Sequence, residues 1–554
     1  MPLSFESASQ FKWSVRKIAV IGPGIVGMPM AALLAHAGIR EGTDQPAQVV
    51  VVQRASRTSA WKVPAINQGQ SVIGGIEPDL DQLVSNAHAQ KRLSATHDYA
   101  DIADADLILV SVQTDRDGFG PDYGPLLDSV NALAAALVNR PAGNVPVIVF
   151  ESTLAPSSMN TVIRDAFAAH GLIEGRDVLL GNSPNRVMPG RLVERVAQSD
   201  KLVAGLHPLT PVLISRIYSK IVTTGKLHQT NSMTAEFVKT LENAYRDVRI
   251  GFAAELVRQC DKDGVDFFAL RDEVNRRMSQ SDGASGCATA VPSGAILVPS
   301  IGVGGHCLPK DGVLLWWRRH QSGADTSASY ILNARHINDA SPAAAIQLAE
   351  DRLGALKNRR IALLGTAYRF DSEDTRNSPT LSLARQLIDH GCEVVLHDPY
   401  VKPDDQNLRA TGLTDYFTNN LSTAVCEADI LFFCVGHSVY LDGLDELVAL
   451  AGRASAVFDG ANLYQANQVA ALGLAYAGIG RGTAKPDENL IATTIQNFSE
   501  LEQGVAIELA GLIDFLNSQY APDEFNQVSF EEMRALAGSC VTGCAIAPLE
   551  LQPA

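Results

Sequence analysis

The chain has 554 residues, 46% hydrophobic and 19% charged, with a formal net charge of −16. That length exceeds what one hydrophobic core supports and predicts about three domains, at roughly 100–200 residues each. The acidic balance excludes sequence-independent nucleic-acid binding, which needs a basic surface to displace counterions, but leaves room for an anion in a local basic pocket. No apolar run reaches the ~18–20 residues that span a bilayer, and Met1 to Arg16 lacks the apolar core of a signal peptide, so a cytoplasmic protein with no membrane partner is expected. Eight cysteines, at 260, 287, 307, 392, 426, 434, 540 and 544, form no C-x-x-C pair and no metal-ligand spacing with histidine. Reduced thiols and no metal site are expected. Cys540 and Cys544, four apart, could face one another on a helix, but unreactive proximity is the simpler account.

Lys17-Ile18-Ala19-Val20-Ile21 is an apolar run that meets Gly22-Pro23-Gly24-Ile25-Val26-Gly27, followed by the helix formers Met30 to Ala35. Strand, G-x-G-x-x-G, helix is a dinucleotide-binding opening: the glycines allow a tight turn and the pyrophosphate sits on the helix N-terminus. The next strand, Val49 to Val52, should end in an acidic residue for the adenosine ribose and ends instead in Gln53-Arg54-Ala55-Ser56-Arg57. A missing carboxylate with arginines nearby makes room for a 2′-phosphate, so NADP stands beside NAD; alternatively both arginines are solvated and Gln53 alone meets the ribose. Further parallel strands are predicted at Asp106 to Val112, Val145 to Phe150 and Asp177 to Leu180, because near-continuous apolar runs suit strands covered on both faces. Gln113, Thr114, Glu151 and Thr153 at their ends would line the ligand crevice. Asn182 to Gly190 is a loop by its Pro and Gly content.

Met233 to Lys262 has no Pro and one Gly, which predicts a helix of about 45 Å at 1.5 Å per residue. Lys239, Asn243 and Arg246 fall at i, i+4 and i+7 and share a face, as either an anion clamp or a solvated polar stripe. Residues 281–300, rich in Ser, Gly, Ala and Pro, form a flexible approach to Gly302-Val303-Gly304-Gly305-His306-Cys307-Leu308-Pro309-Lys310-Asp311. Here glycines that permit close approach lead into a cysteine, a lysine able to hold an anion and an aspartate able to move a proton. The stretch is either a covalent active site or a turn with a buried thiol. A second α/β unit follows, with strands predicted at Arg360 to Gly365, Glu393 to Asp398, Asp429 to Val435 and Ala456 to Asp459 and no second G-x-G-x-x-G. Beyond Gly482, Leu501 to Leu516 and Phe530 to Leu536 read as amphipathic helices of an appendage without an assigned role.

Taken in this order, the motifs resemble the UDP-glucose/GDP-mannose dehydrogenase family over residues 15–484. Glu151-Ser152-Thr153, Pro184 to Gly190 and Glu242 to Val248 look most like its UDP-N-acetylhexosamine branch, and Leu308 to Asp311 more like its UDP-glucose branch. The resemblance implies an α/β fold of two doubly wound Rossmann-like domains joined by a long central helix and a helical middle domain. The domains would be residues 1–210 (NAD(P)-binding), 211–340 (dimerisation and catalysis), 341–484 (nucleotide-sugar binding) and a helical extension, 485–554. It also implies two NAD-dependent oxidations of a sugar C6 alcohol to a carboxylate, without a metal, in a homodimer held by the central helix.

Catalytic residues implied by the resemblance are Cys307 as the nucleophile that forms a thiohemiacetal and then a thioester, Lys239 and Asn243 for the oxyanions, and Asp311 with Thr153 for water. Cofactor contacts would come from Gly22, Gly24, Ile25, Val26, Gly27, Gln53, Arg54, Thr114, Thr153, Lys310 and Arg376. Substrate contacts would come from Asn185, Lys239, Asn243, Arg246, Ile296, Ser300, Gly304 and Arg369. The sequence departs from the family at Gln53, Asn185, Pro189, Arg369 and Ala461, where acidic residues, a lysine or an arginine are expected. A two-electron 3-hydroxyacid-type dehydrogenase and a non-catalytic nucleotide-sugar-binding protein remain as alternatives.

Overall fold

The structure, a computed structural model, describes residues 12–74, 77–140, 145–187, 190–282, 296–441, 443–539 and 544–549. Most of the predicted 281–300 approach, together with Pro189, Cys287 and Cys540, lies outside the described residues. The chain divides into two compact units, residues 1–242, 314–324 and 509–546, and residues 243–313, 325–508 and 547–554.

In the first unit eight strands form one sheet: β1 (Lys17–Ile21), β2 (Gln48–Val52), β3 (Leu93–Thr96), β4 (Leu107–Val110), β5 (Val147–Phe150), β6 (Leu179–Asn182), β7 (Lys201–Gly205) and β8 (Leu227–Asn231). Their spatial order is β8-β7-β6-β5-β4-β1-β2-β3. The period-two alternation of a strand divides β1 between two cores, with Ile18 and Val20 in one layer and Ala19 and Ile21 in the other. Both faces are therefore covered, which is why these strands read as unbroken apolar runs. The strands predicted parallel at 106–112, 145–150 and 177–180 pair parallel as β4 with β1, β5 with β4 and β6 with β5. The sheet is mixed, because β6 and β7 pair antiparallel. It also continues through β7 and β8, past the boundary placed at residue 210, which falls inside the helix Leu209–Tyr218. β8 (LHQTN) is a polar edge strand, so its sequence carries no apolar run to announce it.

The second unit holds a six-stranded parallel sheet of β9 (Arg360–Leu364), β10 (Glu393–His397), β11 (Phe417–Thr418), β12 (Ile430–Phe433), β13 (Ala456–Asp459) and β14 (Ala475–Gly478), in the order β11-β10-β9-β12-β13-β14. Five helices matter for function: α1 (Gly27–Ala37), α2 (Ser232–Asp263), α3 (Leu308–Gln321), α4 (Glu488–Tyr520) and α5 (Phe530–Gly538). Among the described residues no helix is long and apolar enough to cross a membrane.

α4 is 33 residues long, twice the predicted Leu501–Leu516, and buries Ile491, Phe498, Val505, Leu509, Leu512 and Leu516 at the seven-, four- and three-residue spacings of a packed helix face. Within the second unit, Phe498 meets Phe252 of α2 edge-on with centroids 5.3 Å apart. Tyr245 of α2 donates its hydroxyl to both Glu502 carboxylate oxygens, at 2.8 and 2.7 Å. The flank of the central helix from Tyr245 to Phe252 is thus covered by the chain's own α4.

Burial raises the Glu502 carboxyl to about 7, against the Tyr245 hydrogen bond and the Arg249 charge. The folded state then holds more protons than the unfolded one between the ordinary value near 4.5 and about 7, so stability falls as pH rises through that window. Glu502→Gln keeps an acceptor for Tyr245 and removes this dependence. Its unfolding free energy should match the parent at pH 5 and exceed it at pH 8 by on the order of 2 kcal/mol, with a higher melting temperature at pH 8. Parallel melting curves for the two proteins would expose the error.

Candidate active site

In the first unit the glycine turn between β1 and α1 shows three different needs. Gly22 has a φ of +88° and faces the Ser111 carbonyl, and a Cβ on Gly27 would lie 2.2 Å from the Gly22 oxygen. Those two glycines hold the turn together. A Cβ on Gly24 would meet nothing within 4 Å, so that glycine leaves open the approach to the N-terminus of the 11-residue α1. An anion-binding cradle needs this shape, and the turn therefore fits a dinucleotide pyrophosphate. Ile25 is exposed and Val26 half-buried beside it. Gly24→Ala is expected to leave the melting temperature within a degree or two but weaken cofactor binding about tenfold or more; Gly27→Ala is expected to lower the melting temperature sharply. Thermal melts with a cofactor titration separate the two effects.

Gln53 directly follows β2 and donates its amide to the Arg54 carbonyl at 3.1 Å and to Ser59 Oγ at 3.2 Å. Arg54 is paired with Asp128 at 3.2 Å on the surface, so its charge is partly answered within the protein. Thr114 Oγ1 donates to the Thr153 carbonyl at 2.7 Å, and Thr153 is half-buried at the end of β5. Next to it, buried Glu151 gathers a set that the sequence did not reveal. It accepts from Asn185 Nδ2 and Lys201 Nζ, both at 2.8 Å, and from the Tyr218 hydroxyl. Burial pushes the Lys201 ammonium down and the Tyr218 hydroxyl up. Asn185, a candidate for the substrate, is thus anchored by Glu151. Lys201 and Tyr218 lie 50 and 67 residues from Glu151, and only their burial could have flagged them.

In the second unit the Gly302–Gly305 stretch is spent chiefly on packing. A Cβ on Gly304 would lie 2.5 Å from Tyr368 Cβ and 2.8 Å from the Asn377 carbonyl; one on Gly305, whose φ is +88°, would touch the Tyr368 ring. Gly305 N donates to the Arg376 carbonyl at 2.8 Å, and Asn377 Nδ2 donates to the Gly305 carbonyl at 3.0 Å. The close approach expected of these glycines is therefore made to the Tyr368–Pro379 segment.

This packing fixes Cys307, which is exposed. Its carbonyl accepts from the N–H groups of Lys310 and Asp311, at 3.1 and 3.0 Å, so it stands at the N-terminal cap of α3. The positive end of that helix favours negative charge there. The Arg376 guanidinium is also in electrostatic reach. Its hydrogen bonds to Asp374 chiefly hold its pKa above the ordinary value, with the charges of Asp374, Tyr368 and Cys307 adding to the effect. The buried-turn reading of Cys307 is thereby corrected.

Behind the cysteine, Asp311 is fully buried and accepts from Asn243 Nδ2 at 2.6 Å and from Lys310 Nζ at 2.8 Å. Lys239 lies one turn before Asn243 on α2; both are half-buried, and Arg246 is exposed. Ile296 is buried and held through its backbone by Asn275 and Arg271. Ser300 is exposed, and Arg369 lies over the Phe370 ring at 5.3 Å.

A doubly wound sheet with this glycine turn defines an NAD-type dehydrogenase. Comparison with known proteins gives the same class and narrows it. Residues 16–222 match the model of the UDP-glucose/GDP-mannose dehydrogenase family, NAD binding domain; residues 233–340 match its central domain and residues 362–466 its UDP binding domain. The UDP-N-acetyl-D-mannosamine dehydrogenase of Pyrococcus horikoshii is 30% identical over 470 residues, 84% of this chain and 99% of that protein. The NDP-N-acetyl-D-galactosaminuronic acid dehydrogenase of Ralstonia nicotianae is 29% identical over 77% of this chain and 92% of its own. A crystal structure of NDP-N-acetyl-D-galactosaminuronic acid dehydrogenase from Methanosarcina mazei superposes with a TM-score of 0.71 at 29% identity, covering 84% of this chain and 96% of that one. The chain belongs to the UDP-glucose/GDP-mannose dehydrogenase family. It is an NAD-dependent nucleotide-sugar dehydrogenase.

Proposed function

We propose that the chain oxidises the C6 alcohol of a UDP-linked sugar, of the N-acetylhexosamine class, to a carboxylate, with Cys307 as nucleophile. One observation carries this reading: an exposed thiol at a helix N-terminus, backed by the Asn243–Asp311–Lys310 network. The names of the relatives support the sugar class. NAD, when bound on the Gly22–Gly27 turn, takes up two electrons as a hydride at each of the two oxidations. The Cys307 sulfur adds to the aldehyde carbon and forms a thiohemiacetal; once this is oxidised to a thioester, water cleaves the C–S bond and the thiol returns. Asn243 is oriented by the Asp311 carboxylate, and its remaining amide hydrogen with the Lys239 ammonium stabilises the oxyanion at C6. In this reading Gln53 meets the adenosine ribose.

A homodimer is part of this proposal, formed through surfaces other than the flank of α2 that α4 covers. Incubation with UDP-N-acetylmannosamine, UDP-N-acetylgalactosamine and UDP-glucose, with NAD or NADP, tests the reading. Two NADH formed per sugar consumed are expected. One NADH per sugar, or none with any of them, overturns the proposal.

A further inference from the structure

The side chain of Arg186, in the loop after β6, is 8% exposed and ends 2.5 Å from the Glu242 carboxylate, whose side chain is 4% exposed. The same guanidinium donates to the Leu536 carbonyl at 3.3 Å and Ser539 Oγ at 3.2 Å, both at the end of α5, and to the Asp200 carbonyl at 3.4 Å. α5 and the segment before it are in turn fastened to the same unit. Thr230 Oγ1 donates to Glu532 at 2.6 Å, Asn231 Nδ2 to the Gln527 carbonyl at 2.7 Å, and Asn526 Nδ2 to the Leu206 carbonyl at 3.2 Å. Glu242 follows Lys239 by three residues on α2, a spacing at which helix side chains are neighbours. Lys201 feels the charges of both Arg186 and Lys239, so the three cations share one patch with the carboxylates of Glu151 and Glu242.

In that patch a carboxylate without its partner takes the nearest cation, since an unanswered buried charge costs several kcal/mol. Lys239, three residues earlier on the same helix, is a cation neighbouring Glu242. We propose that Arg186, clamped by the C-terminal segment, is a positioning residue: it occupies Glu242 and so keeps the Lys239 ammonium available for the oxyanion at the sugar C6. The C-terminal segment, which lies beyond the family's matched domains ending at residue 466, is then part of the catalytic apparatus at one remove. The inference rests on the oxyanion role of Lys239 proposed above.

A double-mutant cycle in the full chain tests it. Arg186→Ala should lower kcat about 100-fold, the loss of one oxyanion donor, with the KM for NAD unchanged. Glu242→Gln, which removes the competing charge, should stay within about tenfold of the parent. The double variant should recover most of the activity that Arg186→Ala loses. A merely structural Arg186 predicts no recovery. Should Arg186→Ala not fold, Thr230→Val/Ser539→Ala loosens α5 while leaving Arg186 in place; its expected fall in kcat, about fivefold, should likewise vanish when Glu242→Gln is added. Folded proteins in which Glu242→Gln rescues neither variant overturn the inference. Lys239→Ala separates this failure from failure of the underlying reading: if it turns over like the parent, the oxyanion role is wrong, and if it is slow while no rescue occurs, only the role of Arg186 is wrong.

Discussion

Cys307→Ala should lower turnover by on the order of 10⁴-fold or more, because no neighbouring group can replace the sulfur as the atom that holds the aldehyde. Folding should be unaffected, since the side chain is exposed and the cap of α3 is made by the Cys307 carbonyl rather than by its sulfur. The melting temperature should therefore stay within a degree or two and NAD should bind with unchanged affinity. Cys307→Ser separates two roles: a hydroxyl has the size but lacks the nucleophilicity of a thiolate, so the serine variant should be nearly as slow as the alanine variant. Single-turnover traces in which Cys307→Ala forms two NADH per sugar at the parent rate would remove the cysteine from the mechanism.

Asp311→Ala should damage both fold and chemistry. Its carboxylate takes hydrogen bonds from Lys310 and Asn243 in the interior, and deleting one member of a buried ionic set costs about 3–5 kcal/mol. At a few degrees per kcal/mol, a melting temperature lower by roughly 10 °C is expected. Asp311→Asn retains the shape and one acceptor and should lose less stability. Both variants should fall about 10²- to 10³-fold in kcat, since the Asn243 amide is then no longer held toward the reacting oxygen. Calorimetry and steady-state kinetics on the two variants decide this; full activity in Asp311→Ala would show that the network only supports the fold.

The assignment of NAD also has a local physical basis. The acidic residue usual at the end of the second strand is absent, and Arg54, which could have met a 2′-phosphate, faces Asp128 instead. Gln53 remains at the strand end with a hydrogen-bonding amide.

What was legible in the sequence was local. The glycine turn, the strand β1 before it and the helix α1 after it are adjacent in the chain, so their spacing alone declares an anion-binding turn. The same holds for Cys307, Lys310 and Asp311, within one turn of α3, and for the long run without proline that became α2. The tertiary structure decided which groups meet. Asp311 takes the amide of Asn243 from 68 residues away, Glu151 collects Lys201 and Tyr218, and Arg186 is shared between Glu242 and the end of α5. It also reversed β7 and β8 and laid α4 along α2. A lone sequence displays periodicity and turn chemistry because these depend on neighbours in the chain. It cannot display the pairing of buried charges, because that is fixed by which distant groups are desolvated together, and desolvation exists only once the cores have closed.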